Sequence, residues 1–116
     1  MYLVRVVSVE SELAWAAGFF DGEGSTSILK AQRDKYTYIR MSVNQKYPEC
    51  LERFQRIIGY GKIYKAKKRD IYSWDCYRQD QVLLAFAKTE PYLSSIKVKQ
   101  FYAALEKTKA NSKHGI

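Results

Sequence analysis

The sequence predicts an α+β domain in which one antiparallel sheet carries helices on a single face and leaves its other face open. Three observations predict it. Tyr36 to Gln45 alternates apolar and polar residues with the two-residue period of a half-buried strand. Tyr60 to Lys68 and Ile71 to Tyr77 form a second strand pair around the polar turn Arg69 and Asp70. Helical segments fall before, between and after these pairs, giving the order helix, two strands, helix, two strands, helix, helix. At 116 residues the chain makes one domain, residues 1–116, large enough to fold without disulfides or a structural metal. No repeat, linker or composition shift marks a second domain.

Each element follows from its residues. Residues 1–9, rich in β-branched side chains from Tyr2 to Val9, read as a short strand or arm. Glu10 and Glu12 suit a helix N-terminus, and a helix runs from about Ser11 to Phe20 until Gly22 and Gly24 stop it. Ser25 begins a strand to about Gln32, with Asp34 and Lys35 in the turn. In the next strand Ile39, Met41 and Val43 face the core, while Tyr38, Arg40, Ser42 and Asn44 face away. Pro48 opens a second helix whose buried stripe is Leu51, Phe54, Ile57 and Ile58, ended by Gly59 and Gly61. Asp80 is the expected N-cap of a helix through Lys88. Ser94 and Ser95 cap another from about Ile96 to Thr108. The basic tail, residues 109–116, is expected to fray.

The net charge of +8 and a sequence pI of about 9.5 point to an acidic partner, because a basic surface gains free energy by releasing phosphate counterions. Nucleic acid fits this better than a membrane surface, and no apolar run approaches the length of a spanning helix. The start lacks the basic leader and small-residue cleavage site of a signal peptide, so an intracellular protein is expected, in cytoplasm, nucleoid or organelle matrix, and not a secreted one. Cys50 and Cys76 lie far apart and the single His114 is in the tail, which leaves no zinc-ligand spacing.

The first helix carries the most information. Ala14, Gly18 and Gly22 fall at i, i+4 and i+8, lining one side with almost no side chain, so another backbone can approach there. Asp21 and Glu23 then stand at the C-terminal end, where the helix dipole disfavours negative charge. A divalent cation supplies the missing positive charge, since carboxylate and backbone carbonyl oxygens are the hard ligands that Mg2+ prefers, and the flanking glycines leave that backbone uncovered. Two such helices packed side by side bring their terminal acids together as a paired-metal site for attack on phosphate, of which one chain supplies half.

Ala16-Ala17-Gly18-Phe19-Phe20-Asp21-Gly22-Glu23-Gly24-Ser25 resembles the signature of the LAGLIDADG homing endonucleases, with Ala16 where Leu is usual. The resemblance implies an αββαββα fold whose four-stranded antiparallel sheet binds DNA and whose helices cover the opposite face. It also implies a metal-dependent endonuclease making a staggered double-strand break, associated with an intron or intein. Single-motif members pair, so the target is a long pseudo-palindromic duplex and the protein a homodimer joined through Ala14, Trp15, Gly18, Phe19, Asp21 and Gly22. Glu23, longer than the commoner Asp, matches the catalytic metal ligand, helped by the Gly22 carbonyl. Mg2+ or Mn2+ would support cleavage and Ca2+ would occupy the site without doing so. Gln45 matches the polar residue that orders solvent, and Lys97 the basic residue at the start of the last core helix. Lys46 and Lys99 stand as candidates for a further basic position. Non-cutting regulators and RNA-splicing maturases are built on the same fold, which keeps a binding-only role as the alternative.

A two-stranded ribbon fits the DNA major groove, so alternation nominates the reading residues. They are Ser25, Ser27, Leu29, Tyr38, Arg40, Ser42 and Asn44 on the first strand pair, and Lys62, Tyr64, Ser73, Asp75 and Tyr77 on the second. Arg40 is the leading base-reading candidate. Gln32, Arg33, Lys65, Lys67, Lys68 and Arg69, near strand ends and turns, are placed to hold phosphates. Five basic residues within the eight from Lys62 to Arg69 strengthen that footprint.

Overall fold

The computed structural model describes residues 8–31 and 36–110. Helix α1 spans Val9–Glu23, β1 Gly24–Lys30, β2 Thr37–Gln45, α2 Glu49–Ile58, β3 Lys62–Lys65, β4 Tyr72–Cys76, α3 Gln79–Thr89 and α4 Ser95–Ala110, with a 3-10 turn at Glu90–Tyr92 before α4. The four strands form one antiparallel sheet in the order β1-β2-β4-β3. This is the α+β architecture expected.

Ser8 starts α1 by accepting a hydrogen bond from the Ser11 N–H at 3.0 Å, satisfying one of the helix's unpaired donors. Val9 therefore belongs to the helix and not to an N-terminal strand, and residues 1–7 lie outside the described residues. Gly22 does not stop the helix, which runs on to Glu23 before Gly24 turns directly into β1. The cause lies in packing: the Phe20 ring lies over Gly24, where any Cβ would overlap it.

The core between sheet and helices follows the apolar pattern. Ile39, Met41 and Val43 are buried from β2, Leu51, Phe54 and Ile58 from α2, and Trp74 from β4, while Ile57 is half-buried. The Trp74 ring meets Phe54 edge-on at 4.8 Å, and its indole N–H donates to the Tyr60 carbonyl at 2.9 Å, so the polar atom costs little to bury. Gly59 closes α2 in the left-handed region, φ 87°, with its N–H on Gln55 O. Phe86 and Phe101 stack at 3.8 Å, joining α3 to α4.

Asp80 is not an N-cap. It sits in the first turn of α3 and accepts from Arg78 Nε at 3.0 Å. Gln79 anchors this helix: its side chain accepts from Ile39 N–H at 2.9 Å and donates to Ile39 O at 2.8 Å. That side chain extends the ladder of β2 past the end of β4. β3 ends at Lys65, and Lys67 to Asp70 form an exposed turn in place of strand. α4 continues to Ala110, past the expected Thr108, and residues 111–116 lie outside the described residues. Among the described residues no helix is long and apolar enough to cross a membrane.

Candidate metal-binding helix end and nucleic-acid interface

Ala14, Gly18 and Gly22 are exposed along α1, and a Cβ added at either glycine meets nothing within 4 Å. The expected small-residue stripe is open. Trp15 and Phe19, expected beside it, are instead turned toward α2 of the same chain. Their rings stack at 5.2 Å, the Arg53 guanidinium lies 4.0 Å from the Trp15 ring, and Phe19 packs on Phe54 at 5.6 Å. Arg53 also pairs with Glu12 at 3.3 Å. Asp21, likewise expected at the interface, is engaged within the chain. It accepts the Ser94 N–H at 2.9 Å and the Ser94 hydroxyl at 3.0 Å, which ties the end of α1 to the cap of α4.

Glu23, the last residue of α1, is exposed. Lys97, in the first turn of α4, donates its ammonium to the Gly24 carbonyl at 2.7 Å and lies 5.8 Å from the Phe20 ring. The structure therefore brings Lys97 to the carbonyl of the residue that follows Glu23. Gln45 ends β2, two residues past the Val43 that pairs with Gly24, so it stands at the same end of the sheet and on the helix side. Lys46 and Lys99 are exposed, and Lys46 lies 5.7 Å from the Tyr47 ring. Among the described residues no three His, Cys, Asp or Glu side chains gather to hold a metal. Glu23 and Gly22, the expected ligands, are both exposed.

The sheet face away from the helices carries the nominated reading residues, in layers. Ser42, Ser73 and Asp75, expected as contacts, lie on this face but each is only 8% exposed. They form its underlayer because they bond one another and their longer neighbours. Ser42 Oγ donates to Asp75 Oδ1 and the Tyr64 hydroxyl to Asp75 Oδ2, both at 2.6 Å, while Ser73 Oγ donates to Asn44 Oδ1 at 2.7 Å. Acceptance by Asp75, followed by burial, raises the pKa of Tyr64. Arg40 faces Ser27 across β1 and β2, and Arg40 Nε and Ser27 Oγ are both buried with no hydrogen-bond partner among the described residues. Tyr64, Lys62, Asn44, Ser25 and Tyr77 are exposed, and Leu29 and Tyr38 half-buried.

Lys67, Lys68 and Arg69 are exposed in the turn after β3. Lys65 departs from expectation: it pairs with Tyr72, which puts it on the helix side by strand alternation, where it meets Asp70 at 3.8 Å. Gln32 and Arg33 lie outside the described residues. The links that sequence reasoning missed are Asp21–Ser94 and Gln79–Ile39, for which Ser94 had offered a signal only as a cap.

Solved structures with the same fold are numerous. The homing endonuclease I-CvuI, in complex with an I-CreI target and Mg with the DNA not cleaved, superposes with TM-score 0.73 at 20% identity, over 87% of this chain and 68% of that one. The archaeal intron-encoded homing endonuclease I-Vdi141I, complexed with DNA, gives 0.71 at 20% identity, over 93% and 77%. The meganuclease I-AabMI, bound to uncleaved DNA, gives 0.70 at 20% identity, over 88% of this chain but only 40% of its own. No curated protein matches the sequence. A family model described as LAGLIDADG endonuclease matches residues 16–107, and the chain belongs to that family.

Proposed function

We propose that two copies of this chain pair along the open stripe of α1 and act together as a metal-dependent, site-specific DNA endonuclease. The target would be a long pseudo-palindromic duplex cut with a stagger, since two-fold protein symmetry maps onto two half-sites. The observation that carries this reading is the convergence at one helix end of exposed Glu23, the open Gly22 backbone and the Lys97 ammonium on Gly24 O. Structural neighbours crystallised with DNA, and with Mg or Ca in the case of I-CvuI, support it.

The residues fit a hard divalent cation. Glu23 and the Gly22 carbonyl are oxygen donors, and no side chain covers the Gly22 position. Such a cation activates water and neutralises charge on a phosphate. Only part of its shell comes from one chain, which is why the reading calls for a second copy. Lys97, fixed at the Gly24 carbonyl, holds a positive charge where phosphate charge would develop. Gln45, at the same end of the sheet, would order solvent. The basic turn at Lys67 to Arg69 would hold phosphates while the layered sheet face enters the major groove.

A binding-only role is the second reading, because the sheet's side-chain network is built without Glu23. Selection of bound and of cleaved duplexes from a random library, with and without Mg2+ or Mn2+, tests both. The endonuclease reading expects metal-dependent staggered breaks that Glu23→Gln slows by about a hundredfold or more while binding persists. Binding with no nicking under either metal supports the second reading and overturns the first.

A further inference from the structure

Asp75 is a negatively charged group set into the face nominated to meet an acidic partner. It has the wrong sign for phosphate and almost no surface, being 8% exposed. Each of its oxygens nevertheless accepts a hydrogen bond. Oδ1 accepts from Ser42 and Oδ2 from Tyr64, each at 2.6 Å, the short distance of a charge-assisted O–H bond. Ser42 lies directly across β2 and β4 from Asp75, while Tyr64 reaches it from β3. Lys62 is the register partner of Asp75 across β3 and β4, and Arg40 lies on the same face.

A hydroxyl has one proton to give and two lone pairs to receive with. When the carboxylate takes that proton, the hydroxyl meets anything outside as an acceptor only. Ser42 is buried, but Tyr64 is 49% exposed and stands on the open face by its register with Ser73. We infer that Asp75 fixes the hydrogen-bond polarity of Tyr64, so that this point of the sheet accepts from an exocyclic amino group, adenine N6 or cytosine N4, on the DNA strand it touches. Asp75 is thus a positioning residue and Tyr64 the contact. The inference rests on the DNA-binding reading above.

The chemistry of the major groove makes the consequence specific. Each base pair shows an amino donor and a carbonyl acceptor side by side, so an acceptor-only contact discriminates by which strand carries the amino base. Guanine O6 and N7 and thymine O4 are acceptors and have nothing to give an oxygen whose proton is spoken for. The bond between Tyr64 and Asp75 also holds the phenol proton more tightly, which keeps the donor turned inward.

The test is a base-preference profile, obtained by selecting bound sequences from a random duplex library with the full chain, for the wild type, Tyr64→Phe and Asp75→Ala. The wild type is expected to favour A or C over G or T severalfold at one position of each half-site, and Tyr64→Phe to abolish that preference. Asp75→Ala frees the phenol to donate or accept, so the preference at that position flattens while the other positions keep theirs. A merely structural Asp75 would weaken binding evenly at all positions. An unchanged profile in Tyr64→Phe, or a wild-type preference for G or T at the Tyr64-dependent position, overturns the inference. Tyr64→Phe removes one exposed hydroxyl and keeps the test available if Asp75→Ala does not fold. An ultraviolet titration of Tyr64 adds a readout independent of DNA, with Asp75→Ala expected to lower its pKa. Failure of the wild type to bind any duplex overturns the DNA-binding reading, and the inference with it. An altered titration with an unaltered profile overturns the inference alone.

Discussion

The carboxylate of Asp21 grips Ser94 across 73 residues of sequence, taking its backbone N–H at 2.9 Å and its hydroxyl at 3.0 Å. Ser94 in turn accepts from the Lys97 N–H at 3.3 Å, so the first turn of α4 is set from the end of α1. Asp21→Ala is expected to lower unfolding free energy by about 1–2 kcal/mol, the worth of charged capping bonds, as read by urea denaturation. Asp21→Asn, which keeps an acceptor for the N–H, is expected to lose about half as much.

Gly24 and Gly22 predict opposite outcomes two residues apart. Gly24→Ala drives a methyl into the Phe20 ring, and overpacking of this kind costs about 1–3 kcal/mol. Gly22→Ala places its methyl where nothing of the same chain meets it, and in the Gly18→Leu background, where α1 is not to pair, it is expected to stabilise the chain by about 0.5–1 kcal/mol. Thermal melts of the two variants read the contrast, and Gly24→Ala with Phe20→Leu is expected to recover part of the loss.

Gly18→Leu separates folding from assembly. Nothing within 4 Å opposes a Cβ at Gly18, so the far-ultraviolet spectrum and the melt of the monomer should be preserved. Close approach of a second α1 is blocked. Light scattering should therefore give twice the chain mass for the wild type and the single-chain mass for the variant. A variant that stays dimeric sinks the α1 interface.

The two cysteines are expected to respond differently to thiol reagents and to pH. Cys50 is exposed and Cys76 buried, so one thiol should react in the folded protein and both in denaturant. Burial is the leading cause that pushes Cys76 from 9.0 to about 11. A folded-state value above the unfolded one favours folding below pH 9, and that contribution fades as the pH climbs toward about 11. Denaturation midpoints should fall through this window, and less steeply for Cys76→Val.

The core strand of the sheet was legible because Ile39, Met41 and Val43 repeat with a period that only one backbone geometry satisfies. The open stripe of α1 was legible for the same reason, since Ala14, Gly18 and Gly22 share one helical face. Depth was not legible: alternation assigns Ser42 and Asp75 to a face but does not reveal that Tyr64 and its neighbours lie above them. Asp21–Ser94 and Gln79–Ile39 bridge distant stretches of chain, and no local pattern encodes such pairs. That Trp15 and Phe19 pack on α2 of their own chain was not legible either, because a helix apolar on most sides does not declare which side its own chain covers.

The layered sheet face has a consequence for how its selectivity can change over generations. In the centre, Ser42 with Asp75 and Asn44 with Ser73 bridge β2 and β4, so substitutions there are interdependent and an intermediate with one partner missing is penalised. On the β1 flank, Ser25, Ser27 and Leu29 have no side-chain hydrogen bond to that centre among the described residues. Variation can accumulate singly along the flank, whereas the middle of the face changes only by coordinated steps.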